Sequence, residues 1–134
     1  MKEKRLRNFS ITLLIFNCLS ALWGGIGLIY DPSGEFMQIP LYFLQHSPFI
    51  SYLIPGIILL IANGILSLFI AFITIKRLMY FPFFIIAQGL ILAGWLSVQI
   101  MMIREFYPPL HIPYYLTALG LVISGGLLTR TQKF

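Results

Sequence analysis

A chain of 134 residues that is 59% hydrophobic and only 10% charged falls far below the roughly 25% charge of soluble globular domains. A soluble fold this small has a large surface relative to its core, and four acids with nine bases cannot cover it; lipid as the solvent removes the difficulty. The net charge of +5 does not point to nucleic acid, because the basic residues form no stripe interleaved with polar groups but sit in short clusters between apolar runs, as topology signals and anionic-headgroup contacts do.

The first apolar segment runs from about Phe9 to Tyr30, behind Lys2, Lys4, Arg5 and Arg7. Its apolar stretch exceeds the roughly 7–15 residues of a signal-peptide core, and Ala-x-Ala spacing is absent, so it is expected to be retained as a helix. Cys18 lies inside it as a small buried hydrophobe. The single cysteine excludes a disulfide within the chain, and Phe16 argues against lipoprotein processing. Gly24, Gly25 and Gly27 near the end of this segment allow another backbone to approach or loosen the last turn. Trp23, Tyr30, Asp31 and the loop after them are the candidates here for lining an outward pocket.

The connection from Asp31 to Pro48 contains Pro32, Gly34, Pro40 and Pro48. It reads as an entry turn at Asp31-Pro32-Ser33-Gly34, capped by the Asp31 carboxylate, followed by a short element at the membrane surface with Leu41, Phe43 and Leu44 toward the acyl chains. The second segment spans about Phe49 to Ile75, with Ser47 as its cap and Pro48 at its first helical position. Lys76-Arg77 marks a tight turn, which makes helices two and three antiparallel neighbours. The third segment spans about Tyr80 to Ile103. A connection from Arg104 to His111, holding Pro108-Pro109, leads to the fourth, about Ile112 to Leu128. About 20 apolar residues cross the hydrocarbon core as a helix, and none of the four segments contains Asp, Glu, Lys, Arg or His. The runs are continuous on both faces, unlike the alternating strands of a membrane barrel.

The fold class is therefore all-α: one transmembrane domain over 1–134, an up-down-up-down bundle of four helices with an ordered outer loop between the first two. Lys2, Lys4, Arg5, Arg7, Lys76, Arg77, Arg130 and Lys133 share one side and only Arg104 the other, which places both termini in the cytoplasm. All prolines but Pro82, and all tyrosines but Tyr80, fall on the outer side.

Asn17, Ser20, Asn63, Ser67, Gln88, Ser97, Gln99, Thr117 and Ser124 lie within the apolar segments, where each prefers protein or water to lipid. Gln88, Trp95 and Gln99 share one helical face; Gly56, Asn63 and Ser67 share another. Counted from the inner turn, Asn63 lies about 18 Å deep and Gln88 and Ser67 about 12 Å, with Asn17 at a similar level. Gln88 is thus expected to meet Ser67 and to reach toward Asn63. Hydrogen bonding between helices explains these residues most simply; a polar track of Asn17, Asn63 and Gln88 for a small solute is the alternative. Small pairs four apart (Ser20 and Gly24, Ser67 and Ala71, Gly89 and Ala93, Gly120 and Ser124) point to close packing.

Tests for chemistry return little. His46 and His111 share the outer side with Asp31, Glu35 and Glu105 but lack helical ligand spacing, so no metal or other cofactor is expected. Cys18 is far from either histidine, which leaves no nucleophile–base pair, and no phosphate loop or paired carboxylates occur. The absence of an ionisable residue inside a span counts against a proton-coupled exporter. A lipid-modifying enzyme built on His46 and His111 is a distant third reading.

The run Gly24 to Gly34 (Gly-Gly-x-Gly-Leu-Ile-x-Asp-Pro-Ser-Gly), then Ser47-Pro48-Phe49, Ile54-Pro55-Gly56, Gln88-Gly89 and Gly94-Trp95 through Gln99, resembles a family of small uncharacterised bacterial membrane proteins. The resemblance spans nearly the whole chain. It implies a four-helix protein of the bacterial cytoplasmic membrane and no particular activity. The sequence thus leads to a non-enzymatic membrane protein that binds a partner, a lipid or a small ligand at its outer face. The partners in view are membrane lipids and a second copy or another membrane protein. The candidate site residues are Trp23, Tyr30, Asp31, Asn63, Gln88, Trp95 and Gln99; the alternative is a channel or transporter subunit. Reporters fused after Lys76 and after Phe134 are expected to be active only as cytoplasmic fusions; an exterior signal from either reverses the topology.

Overall fold

The computed structural model describes residues 2–35, 47–103 and 108–131. Among these residues four helices form: α1 Lys2–Tyr30, α2 Leu53–Lys76, α3 Phe81–Ile103 and α4 Pro108–Thr129. Within α2 the winding changes twice, from α over Leu53–Leu59 to π over Leu60–Ile65 and back to α over Leu66–Lys76. No strand occurs among the described residues. All four helices are long and apolar enough to cross a membrane. Each turns large apolar side chains outward: Leu19 is 62% exposed, Phe69 55%, Leu90 60% and Leu116 62%. Water would not tolerate such a surface on a monomer, and lipid does. The chain is a multi-pass membrane protein.

Each neighbouring pair of helices runs antiparallel. Residues 17 and 25 of α1 face 67 and 56 of α2, and residues 10 and 13 face 124 and 120 of α4. Residues 89 and 97 of α3 meet 118 and 115 of α4. The half of the bundle nearer the basic end is closed by Leu14, Ile70, Phe81, Ile85, Leu121 and Leu128, none more than 1% exposed.

Helix boundaries depart from the sequence reading in three places. α1 starts at Lys2 rather than Phe9, because helix winding continues into the basic segment, where Glu3 and Arg7 pair across one turn at 3.9 Å. α2 starts at Leu53 rather than Phe49. Ser47 does not cap it; its Oγ accepts the Phe49 N–H at 3.2 Å in a local turn, and Pro55 falls in the first turn of the helix, where a missing donor is harmless. α4 starts at Pro108 rather than Ile112, since Pro108-Pro109 fixes φ in the helical range at positions that need no donor, so His111 lies within the helix. The proposed surface element at 39–44, with Leu41, Phe43 and Leu44, lies outside the described residues, as do His46, Arg104, Glu105, Tyr107 and Lys133.

The turns are specific. Asp31 Oδ1 accepts from Ser33 N at 3.2 Å and Ser33 Oγ at 2.7 Å, while Gly34 N donates to Asp31 O at 3.0 Å with Gly34 at φ 81°. This is the carboxylate-capped turn the sequence suggested. Tyr52 N then donates to Pro32 O at 2.8 Å and ties the turn to the start of α2. At the other end, Arg77 takes a left-handed φ of 55°; its N–H reaches Thr74 O and that of Leu78 reaches Ile73 O, closing α2 with a Schellman motif. The Arg77 guanidinium donates to Glu3 Oε1 at 2.9 Å and fastens this turn to the start of α1.

Close approach of α1 and α2 depends on glycine. A Cβ on Gly56 would stand 2.8 Å from Leu28 Cβ and 3.2 Å from Gly25 O, while a Cβ on Gly94 of α3 would meet nothing within 4 Å. Gly56→Ala is expected to cost about 1–3 kcal/mol through overpacking. Gly94→Ala is expected to leave stability unchanged or slightly raised. Unfolding by SDS titration in mixed micelles reads both.

Candidate functional site

Midway along the bundle, amides from three helices meet. Asn17 Nδ2 of α1 donates to Ser67 Oγ of α2 at 2.8 Å and lies 3.5 Å from Asn63 Oδ1. Gln88 Nε2 of α3 donates to Asn63 Oδ1 and to the Ala62 carbonyl, each at 3.2 Å. All four side chains are buried. The π turn takes part in this arrangement. The Leu66 N–H reaches back five residues to Ile61 O instead of four to Ala62 O, and the Ala62 carbonyl accepts from Gln88. Such π bulges concentrate at functional positions. The cluster retains hydrogen-bonding capacity: Asn63 Nδ2 and Gln88 Oε1 are enclosed and make no hydrogen bond.

Asn17 also forms the floor of a cavity of about 220 Å³ on the side toward the proline-rich end. Its hydrogen-bonding walls are Asn17 and Ser20 of α1, Trp95 and Gln99 of α3 and Tyr114 of α4, with Trp23 at the lateral edge. Leu59, Leu92 and Leu96 supply apolar wall. Phe16 stacks on Tyr114 with ring centroids 5.4 Å apart and planes 20° apart, fixing that side. The Trp95 indole N–H is enclosed and has no acceptor. Among the described residues, none that is charged lines the cavity. Beyond Trp23, on the outward face of α1, lies an apolar groove of about 470 Å³ bounded by Leu19, Leu22, Trp23, Ile26, Gly27 and Tyr30.

The seven residues singled out from sequence fall into separate places. Trp23, Trp95 and Gln99 meet around the cavity. Asn63 and Gln88 meet in the cluster beneath it. Tyr30 closes the far end of the groove, and Asp31 holds its own turn. Trp23 is exposed on the outward face of α1 and the Asp31 carboxylate accepts from Ser33, while most of the loop named with them in the expected outward pocket lies outside the described residues. Pairing inside the cluster differs from that expected. Asn17, not Gln88, is the partner of Ser67, since rise per residue sets the height of a side chain but not its direction around the helix.

Sequence reasoning missed the Ser10–Ser124 pair, whose hydroxyl oxygens lie 2.7 Å apart and buried. Ser10 lies at the start of the first apolar segment, just after a run of charges, and is not singled out among the polar residues of the spans. It also missed Tyr114 as a wall; the only signal was its place below Pro108-Pro109. His111 is buried in the first turns of α4. Among the described residues no three of His, Cys, Asp and Glu come together as metal ligands.

No family pattern, curated protein or solved structure matches the chain. The chemistry of the site is therefore read from its own geometry.

A double-mutant cycle with Asn63→Leu and Gln88→Leu is expected to give a coupling of about 0.6 kcal/mol, and no more than about 1.7, in SDS unfolding. Pairing Asn63→Leu with Ser97→Ala, whose hydroxyl bonds Tyr115 instead, is expected to be additive.

Proposed function

We propose that this chain is a non-enzymatic protein of the bacterial cytoplasmic membrane, with both termini in the cytoplasm, that binds a small ligand or a single lipid in the cavity between α1, α3 and α4. The observation that carries the reading is a set of amide, hydroxyl and indole groups around a cavity of about 220 Å³ at membrane depth, with no charged residue in its described lining. Polar groups facing hydrocarbon without partners are costly, and a bound molecule with matching groups removes that cost. The clustering of lysine and arginine at one end supports the orientation. The hydroxyls of Ser20 and Tyr114 stand among amides and aromatic rings rather than beside a base, which favours binding over covalent chemistry.

A conducting track through Asn17, Asn63 and Gln88 is the weaker reading. The three do lie together, but they are bonded to one another or to Ser67, and the packed layer of Leu14, Ile70, Ile85 and Leu121 lies between them and the basic end.

The test is co-purification. Protein extracted in mild detergent is expected to retain a non-protein molecule near stoichiometric amount, detected by mass spectrometry of the intact complex. Asn17→Leu combined with Gln99→Leu is expected to lose it about tenfold or more, as the loss of a net hydrogen bond or two would give. Equal retention by wild type and the double variant would remove the cavity as the site.

A further inference from the structure

The walls of the cavity and the groove beside it restrict the class of molecule that fits, on the reading that the cavity is a binding site. Charge is the first restriction. Among the described residues, no Asp, Glu, Lys, Arg or His lines either the cavity or the groove. An ion entering there would lose its water and gain no counter-charge, so the occupant is neutral.

Hydrogen bonding is the second. Asn17 gives one amide N–H to Ser67 at 2.8 Å and turns the other toward Asn63 Oδ1 at 3.5 Å, so the group it has left to offer is its oxygen, an acceptor. On the opposite wall the enclosed Trp95 N–H is a donor without an acceptor, and Gln99 supplies a donor and an acceptor. A group that donates to Asn17 and accepts from α3 satisfies both walls. A hydroxyl does so in the smallest volume; an ester or ketone carbonyl would leave Asn17 unmatched, and a hydrocarbon would leave both.

Access is the third. Trp23 lines both the cavity and the groove, and it is 69% exposed on the lipid-facing side of α1. The groove runs from Leu19 to Tyr30, about 16 Å along the helix and so about half the roughly 30 Å hydrocarbon core. Its walls are apolar apart from Tyr30 at the far end. The groove and the cavity share one lining residue, and that residue is the Trp23 indole.

We infer that the cavity takes the hydroxyl head of an uncharged lipid alcohol, which enters sideways from the leaflet at the proline-rich end, past Trp23, and leaves its chain in the groove along α1. Asn17 and Gln99 select the head, the lack of charge excludes phospholipids and fatty acids, and Trp23 is the partition between membrane and site.

Trp23 and Trp95 are the only two tryptophans of the chain, so its indole fluorescence reports on this site alone. Full-length protein carrying Trp23→Phe, in phosphatidylcholine vesicles, leaves Trp95 as the single emitter. The probe is a long-chain alcohol brominated near its hydroxyl end. The expected result is saturable quenching of Trp95, reversed by the unbrominated alcohol, with a half-saturating concentration raised about tenfold in Asn17→Leu. Gln99→Leu, at the wall rather than in the amide cluster, provides the same comparison should Asn17→Leu fail to fold. Brominated analogues ending in trimethylammonium or sulfonate are expected to quench only in proportion to their amount in the bilayer. Saturable quenching by those charged analogues, or purely proportional quenching by the alcohol, overturns the inference. Trichloroethanol, a short water-soluble quencher, separates the two levels of the argument. Saturation by it but not by the lipid alcohol leaves a small-solute cavity and removes the lipid; saturation by neither removes the cavity as a binding site as well.

Discussion

Hydrocarbon offers no hydrogen bonds, and every polar group this chain carries into the membrane must find its partner within the chain or within a molecule the chain holds. That constraint accounts for the helices, whose backbones satisfy themselves. It also accounts for the amide cluster, where Asn17, Ser67, Asn63 and Gln88 are joined across three helices at about mid-depth. The π turn belongs to the same economy of partners. Shifting the Leu66 N–H to Ile61 O lets the Ala62 carbonyl accept from Gln88, so a side chain of α3 is met by the backbone of α2. Taken singly such contacts are weak in a membrane; their value here lies in setting the rotation of three helices relative to one another.

The two halves of the bundle are built differently. Toward the basic end, leucine, isoleucine and phenylalanine fill the interior to the point that the residues are almost wholly enclosed, and the Arg77–Glu3 pair fastens the rim. Toward the proline-rich end, α1 and α2 are drawn together at Gly25 and Gly56, while α3 and α4 stand away from α1 at the level of Trp95 and Tyr114. A cavity is left where polar side chains converge without filling the space. Small residues draw one pair of helices together, and two large rings, stacked Phe16 and Tyr114, brace the other. The unequal spacing is what separates a packed half from an open one.

Much of the fold was legible in the sequence, because length and uninterrupted apolar character alone place four spans. The boundaries were less so. Lys2 to Asn8 are helical although charged, since a helix continues into water once nucleated in lipid, and Pro108-Pro109 opened α4 where it had read as loop. The depth of Asn17, Asn63 and Gln88 followed from rise per residue; their pairing did not, because small errors in azimuth exchange one neighbour for another. The cavity was only partly visible. Trp95 and Gln99 were singled out for sharing a helical face and Trp23 for its place near the end of α1, but a cavity is defined by atoms that fail to touch, and the packing of Tyr114 on Phe16 beside it leaves no periodic trace. The π turn left none either, beyond Asn63-Gly64 within a run of helix formers.

The hydroxyls of Ser10 and Ser124, 2.7 Å apart, join residues 114 positions apart and bring the first helix against the last. α1 enters the membrane before α4 has been made, and α2 is the first neighbour it can acquire. The side of α1 that carries Ser10 and Leu13 must therefore face lipid until the final helix arrives, with only its own backbone to satisfy the serine. The ring of helices shuts only once α4 has been made. A chain cut short anywhere within α4 would leave a three-helix sheaf with an open seam along α1 and no wall opposite Phe16.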